Sequence, residues 1–98
     1  MNTAEFLTSV QTDAEPPSSL SRELQSLWQA CKGDWDRAHQ IVQDIPSPEG
    51  SWVHANLHRE EGDLGNARYW YARAGKSEST VPVDEERKQI IEALLACG

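Results

Sequence analysis

Two histidines four residues apart are the clearest sign of chemistry in this chain. His54 and His58 lie in the segment SWVHANLHRE, and side chains four apart on a helix point to the same side. Two imidazoles can chelate a divalent metal such as zinc if at least one further ligand joins them. Glu61, three residues beyond His58, and His39, from the preceding hairpin, are the candidates. Residues 55–57 provide no glutamate between the histidines, so the pattern lacks the base of a zinc hydrolase.

Two other roles for these histidines stay open. Their imidazoles can form hydrogen bonds with acidic neighbours while the ring faces pack against tryptophans. They can also form a contact that responds to pH, because the ordinary pKa of histidine is about 6.5.

Charged side chains cluster in the same part of the chain. Three arginines and three acids take part: Arg59, Arg68, Arg73, Glu60, Glu61 and Asp63. The guanidinium groups can hold a carboxylate or phosphate. The alternative is a set of ion pairs between the third and fourth predicted helices, each exposed pair stabilising the fold by less than about 1 kcal/mol.

The run Tyr69-Trp70-Tyr71 places aromatic rings in three directions about 100° apart around a helix. Tyr71 aligns with an apolar position of an earlier helix, so it is predicted to be buried. Tyr69 or Trp70 then faces outward beside Trp52 and can anchor a protein partner, unless the last helix covers it. The predicted partner-binding residues are Trp52, Asn56, Arg59, Trp70 and Arg73.

Composition excludes several classes of function. The 98 residues carry a formal charge of −7, which argues against nucleic acid or an anionic membrane as the main partner. The chain shows no signal peptide and no apolar stretch of about 20 residues. Cys31 and Cys97 have no metal or redox spacing, and no catalytic motif is present. We therefore expect a cytoplasmic protein that is not an enzyme.

Hydrophobic periodicity predicts an all-α domain of about five helices over residues 19–98. Ser19 or Ser21 caps the first of them, and glycines and prolines separate the others. Residues 1–18, with a Pro16-Pro17 pair and few apolar side chains, are predicted to form a flexible arm. No segment is predicted to be a strand.

The chain also repeats itself. Gly33-Asp34-Trp35-x-x-Ala38 returns after 29 residues as Gly62-Asp63-Leu64-x-x-Ala67. In each copy the glycine permits the left-handed turn that ends one helix, and the aspartate caps the next. The pattern therefore predicts two helix hairpins stacked on a shared core.

This G-D-x-x-x-A turn and the run A-x-Y-W-Y-x-R-A resemble the tetratricopeptide-repeat and Sel1-like family of helical repeats. The resemblance covers about residues 20–75, and residues 82–97 resemble the solvating helix that closes such arrays. The string W-x-H-A-x-L-H-R-x-E-G-D is also similar to that of small microbial proteins. The resemblance implies a TPR-like arrangement of two hairpins with a C-terminal capping helix.

The sequence thus favours a module that binds a protein or peptide without a cofactor. Because so short an array buries a small core, a homodimer that extends the stack is also expected. The alternative is a metal- or small-ligand-binding protein that uses His54, His58 and Glu61.

Overall fold

The structure, a computed structural model, describes residues 1–97 and side chains through residue 96. Helices are the only regular secondary structure in this range, and loops connect them. This confirms the all-α prediction. The six helices are α1 (Thr3–Thr12), α2 (Arg22–Cys31), α3 (Trp35–Val42), α4 (Pro48–Glu60), α5 (Leu64–Ala74) and α6 (Val83–Cys97). None of them is long and apolar enough to cross a membrane.

Two helix hairpins, α2–α3 and α4–α5, turn through the same backbone conformation. Gly33 and Gly62 have φ values of +94° and +83°, in the left-handed region that favours glycine. Asp34 and Asp63 then cap α3 and α5 by accepting hydrogen bonds from backbone N–H groups three residues later. The two G-D pairs therefore form equivalent turns, while a TPR-like superhelical arrangement stays a prediction.

The N-terminal segment differs from the flexible arm predicted for residues 1–18. Residues 3–12 form helix α1, and Phe6 on this helix is fully buried. Ser9 accepts a hydrogen bond from Nε1 of Trp28 at 3.0 Å, and Lys32 Nζ donates to two carbonyl groups at the end of α1 and just beyond it. The helix docks because Phe6 is buried in the same core cluster as Trp28 and because these polar contacts hold its C-terminal half.

The main core lies where α1, α2, α4 and α6 meet. Its largest members are Phe6, Leu27, Trp28, Leu57, Ile90 and Ile91, all fully buried. Helix α5 is at the edge of this arrangement, because its backbone approaches α4 and no other described helix. Helix α4 packs against α2, α3, α5 and α6. It carries several buried polar side chains, among them those of the candidate site.

Candidate metal centre

Packing of the two hairpins brings all three histidines of the chain together. Helix α3 begins at the Asp34 cap and packs against α4, which places His39 opposite His54 and His58. One ring nitrogen from each histidine lies within 4.8 Å of the others. The closest pair is Nε2 of His39 and Nε2 of His54, 3.0 Å apart.

Two tryptophans hold the imidazole rings in place. Trp70 on α5 stacks on His54 with ring centroids 3.9 Å apart, and His54 stacks in turn on His58 at 4.8 Å. Trp35 stacks on His39 at 4.9 Å and donates from Nε1 to the Leu57 carbonyl group at 2.8 Å. The two stacks meet where the ring of His39 contacts the ring of His54 edge-on. Imidazole nitrogens from both stacks therefore face the same small region.

Burial favours the neutral form of two of these imidazoles, His39 and His54. His54 is 4% exposed, and its pKa falls to about 3, first because of burial and then because of charge on His39 and His58. The pKa of His39 is also lowered, mainly by burial and next by His58. Since only the neutral imidazole can donate a lone pair to a metal, the lowered pKa values of His39 and His54 favour the charge state that metal binding requires.

The spacing of the nitrogens is close to that of a metal site. A tetrahedral zinc ion with Zn–N bonds of about 2.0–2.1 Å separates its ligand nitrogens by about 3.3 Å. The His39–His54 pair is slightly closer than this, and the nitrogens of all three rings lie within 4.8 Å of one another. Three imidazoles with no thiolate suit zinc, copper or nickel better than calcium or magnesium.

Glu61, which was predicted as a metal ligand, contacts the outer side of the cluster. Its Oε1 atom lies 2.6 Å from Nδ1 of His58, whereas the third imidazole comes from His39. Glu61 also belongs to a second group with His58 and Asp63. In that group Asp63 already accepts hydrogen bonds from N and Nδ2 of Asn66.

Of the predicted partner-binding residues, Asn56 lies in the interior and Arg59 is partly buried. Asn56 is fully buried and donates to Glu86 Oε1 at 2.9 Å. Arg59 donates to the same oxygen and to the Val81 carbonyl group, both at 2.7 Å. Their location differs from the expected accessible surface because the carboxylate of Glu86 on α6 binds both of them.

The other three predicted partner-binding residues stay closer to solvent. Trp52 and Trp70 are partly buried, and Arg73 is exposed. Lys76 Nζ lies 4.3 Å from the Trp52 ring centroid, and the Arg73 guanidinium lies 5.5 Å from that of Trp70. These cation–π contacts are intramolecular, yet they leave part of each side chain accessible.

The sequence analysis missed Glu86 as a buried partner of α4. Glu86 accepts from the Tyr71 hydroxyl as well as from Asn56 and Arg59. A local signal exists, because Glu86 falls three residues after Val83 and four before Ile90, on the apolar side of α6. An acid in that position predicts a buried polar partner elsewhere in the fold.

Of the three clustered arginines, Arg59 forms an internal ion pair with Glu86, and Arg68 lies 4.0 Å from Glu78 at the surface. Arg87, which was not part of the predicted cluster, pairs with Glu60. The buried pairs therefore join α4 to α6, and not α4 to α5 as predicted.

Comparison of the chain with known protein families, curated proteins and solved structures gave no match.

Proposed function

We propose that this protein binds a late first-row transition-metal ion, with zinc as the reference ion, through His39, His54 and His58. The observation that carries the proposal is the convergence of three ring nitrogens within 4.8 Å from two separate hairpins. Nine-tenths or more of His54 and His58 is buried, so the cluster is built into the packing of α4.

In the metal-free cluster His39 and His54 satisfy each other through one hydrogen bond between their Nε2 atoms, 3.0 Å apart. One of these two nitrogens therefore donates its hydrogen and the other accepts it. A divalent cation would replace that contact with lone-pair donation from each ring. Three protein ligands leave a fourth position for water or a small anion.

Metal binding ties the two hairpins together, since His39 lies on α3 and the other ligands lie on α4. An ion that binds only the folded chain stabilises it by about 2.7 kcal/mol at one hundred times its Kd. For a domain of this size, that corresponds to a rise in Tm of roughly 10 °C or more. Stability is therefore a direct readout of the proposed function.

The test uses full-length protein without an affinity tag. We expect zinc to bind at one ion per chain and to raise Tm, while magnesium has no effect and a chelator reverses the rise. His39→Ala should abolish the zinc response and leave the fold intact, because His39 is only partly buried. Gln40→Ala, its exposed neighbour on α3, is the matched control. A Tm that does not respond to saturating zinc would refute the proposal.

A second candidate function, binding of a protein or peptide, is favoured by the outer side of α5. Leu64 and Tyr69 on this helix are 57% and 53% exposed. Residues 64–76 carry Arg68, Arg73 and Lys76 and no acid, although the whole chain has a charge of −7. An acidic partner segment matches this combination of charge and apolar surface.

Paired variants separate this candidate from the metal site. Tyr69→Ala combined with Arg73→Glu should remove binding to an acidic partner, whereas His39→Ala should retain it. Light scattering on the same variants tests whether the partner is a second copy of the chain. Partner binding or a dimer mass that survives the double substitution would exclude this surface.

A further inference from the structure

We infer that Glu61 is a positioning residue that fixes the tautomer of His58 and so directs its Nε2 atom at the metal. This inference rests on the proposed metal-binding function. It assigns Glu61 a different role from that of a ligand.

The geometry sets the position of the proton on His58. Oε1 of Glu61 lies 2.6 Å from Nδ1 of His58. An ionised carboxylate can only accept a hydrogen bond, so Nδ1 carries the hydrogen. In the neutral ring Nε2 then keeps its lone pair, and this is the nitrogen left for the cluster with His39 and His54.

The end of α4 holds Glu61 where it can make this contact. Glu61 is the C-cap residue, and its N–H donates to carbonyl groups of the last helical turn. Gly62 follows in the left-handed conformation, and the N–H of Asp63 donates to the His58 carbonyl group at 2.9 Å. The turn therefore closes around His58, and the three-residue spacing brings the carboxylate back to its ring.

The other two histidines lack such a partner. Because Nε2 of His39 and Nε2 of His54 are 3.0 Å apart, one of them donates a hydrogen to the other in the metal-free protein. That hydrogen has to move to Nδ1 of its own ring before both Nε2 atoms can bind an ion. Of the three, His58 is the ring whose binding tautomer is fixed by a carboxylate.

A second cation between Glu61 and Asp63 is the competing arrangement. Both oxygens of Asp63 already accept from Asn66, at 3.3 and 2.8 Å, in the cap of α5. A cation there would also displace the hydrogen from Nδ1 of His58. The existing contacts thus favour a carboxylate–histidine–metal arrangement, in which loss of the carboxylate typically weakens metal binding 10–100-fold, as an order-of-magnitude expectation.

The experiment measures zinc affinity by competition with a chelating dye, using the full chain. We expect Glu61→Ala to raise the Kd for zinc by about 10–100-fold. Glu61→Gln should fall between this variant and the original protein, because its amide oxygen still accepts from Nδ1. Glu49→Ala, which removes an exposed acid from the same helix, controls for the change in charge.

Long-range ¹H–¹⁵N correlation spectra of the metal-free protein give a readout that a purely structural role would not move. The original protein should show His58 protonated at Nδ1, and Glu61→Ala should shift it toward the Nε2–H tautomer. An unchanged tautomer and an unchanged Kd in Glu61→Ala would overturn the inference and leave the metal site standing. Two zinc ions per chain, with one lost in Glu61→Ala, would instead make Glu61 a ligand. Absence of zinc binding in the original protein would refute the proposed function itself, and the inference with it.

Discussion

Helix α4 buries polar side chains on two opposite sides, and the two sides satisfy them in different ways. On one side Asn56 and Arg59 meet Glu86, an acid that also accepts from Tyr71. On the other side His54 and His58 meet His39, a third base. We call the first the α4–α6 network and the second the histidine cluster.

The difference lies in charge balance. In the α4–α6 network a buried carboxylate receives hydrogen bonds from a guanidinium, an amide and a hydroxyl group, and Arg87 donates to Asn56 Oδ1 at 2.8 Å. In the histidine cluster three bases converge, and the carboxylate of Glu61, which is 39% exposed, contacts His58. The first network balances its charges internally, whereas the converging bases are the kind of group that a cation binds.

The largest expected effect comes from breaking the α4–α6 network. Glu86→Ala removes an acceptor from the buried Asn56 amide and from the partly buried Arg59 guanidinium, and breaking a buried pair in this way costs up to about 3–5 kcal/mol. We expect a loss of this size in the free energy of unfolding, measured by chemical denaturation.

Glu85→Ala, an exposed acid one residue earlier, is the control and should change stability by less than about 0.5 kcal/mol. Equal effects for the two variants would show that the network contributes nothing specific. Because the network and the histidine cluster share no side chain, the zinc-induced rise in Tm should persist in any Glu86 variant that still folds.

An intermediate effect is expected when pH perturbs the histidine cluster of the metal-free protein. The pKa of His54 is lowered from 6.5 to about 3 in the folded chain, so below pH 6.5 the unfolded chain takes up a proton that the folded chain excludes. Stability is therefore complete above pH 6.5 and is lost as the pH falls toward 3. Thermal unfolding between pH 7 and 5 should show this loss.

The comparison variant for the pH experiment is His54→Gln, which removes the titrating ring. Its stability should vary less between pH 7 and 5. The titratable groups that face His54 are His39 and His58, and Glu61 and Asp36 lie behind them. Parallel pH curves for the two proteins would show that the cluster does not carry the dependence.

The smallest effect is expected outside both regions. Arg68 lies 4.0 Å from Glu78, and the two side chains are about equally exposed to solvent. Arg68→Ala should therefore change the free energy of unfolding by less than about 0.5 kcal/mol. A larger loss in denaturant titrations would mean that surface pairs, and not only the buried network, stabilise this fold.

The features of the fold and the site that could be predicted from the sequence are those set by residues close together in the chain. Gly33, Gly62 and the aspartates after them fixed both hairpin turns, because a left-handed residue and a cap act within a few residues. The shared side of His54 and His58 likewise follows from their spacing of four. These features depend on backbone geometry and not on the rest of the fold.

Contacts between distant segments could not be predicted in the same way. Asn56 and Glu86 are 30 residues apart, and their pairing depends on how α6 crosses α4. Docking of α1 depends on Phe6 finding a space beside Trp28 that no local pattern describes. His39 was a candidate ligand from its residue type, but only the packing of α3 on α4 places it within reach.

The stacking of Trp70 on His54 has an optical consequence. An indole ring in contact with an imidazole changes its emission when that imidazole gains a proton or a metal ion, and copper quenches a neighbouring indole strongly. Trp35 is in the same situation beside His39, while Trp28 is buried in the other part of the core. Emission from Trp35 and Trp70 should therefore report whether the histidine cluster holds a proton or a metal ion, with Trp28 as an internal reference. The measurement needs no attached dye.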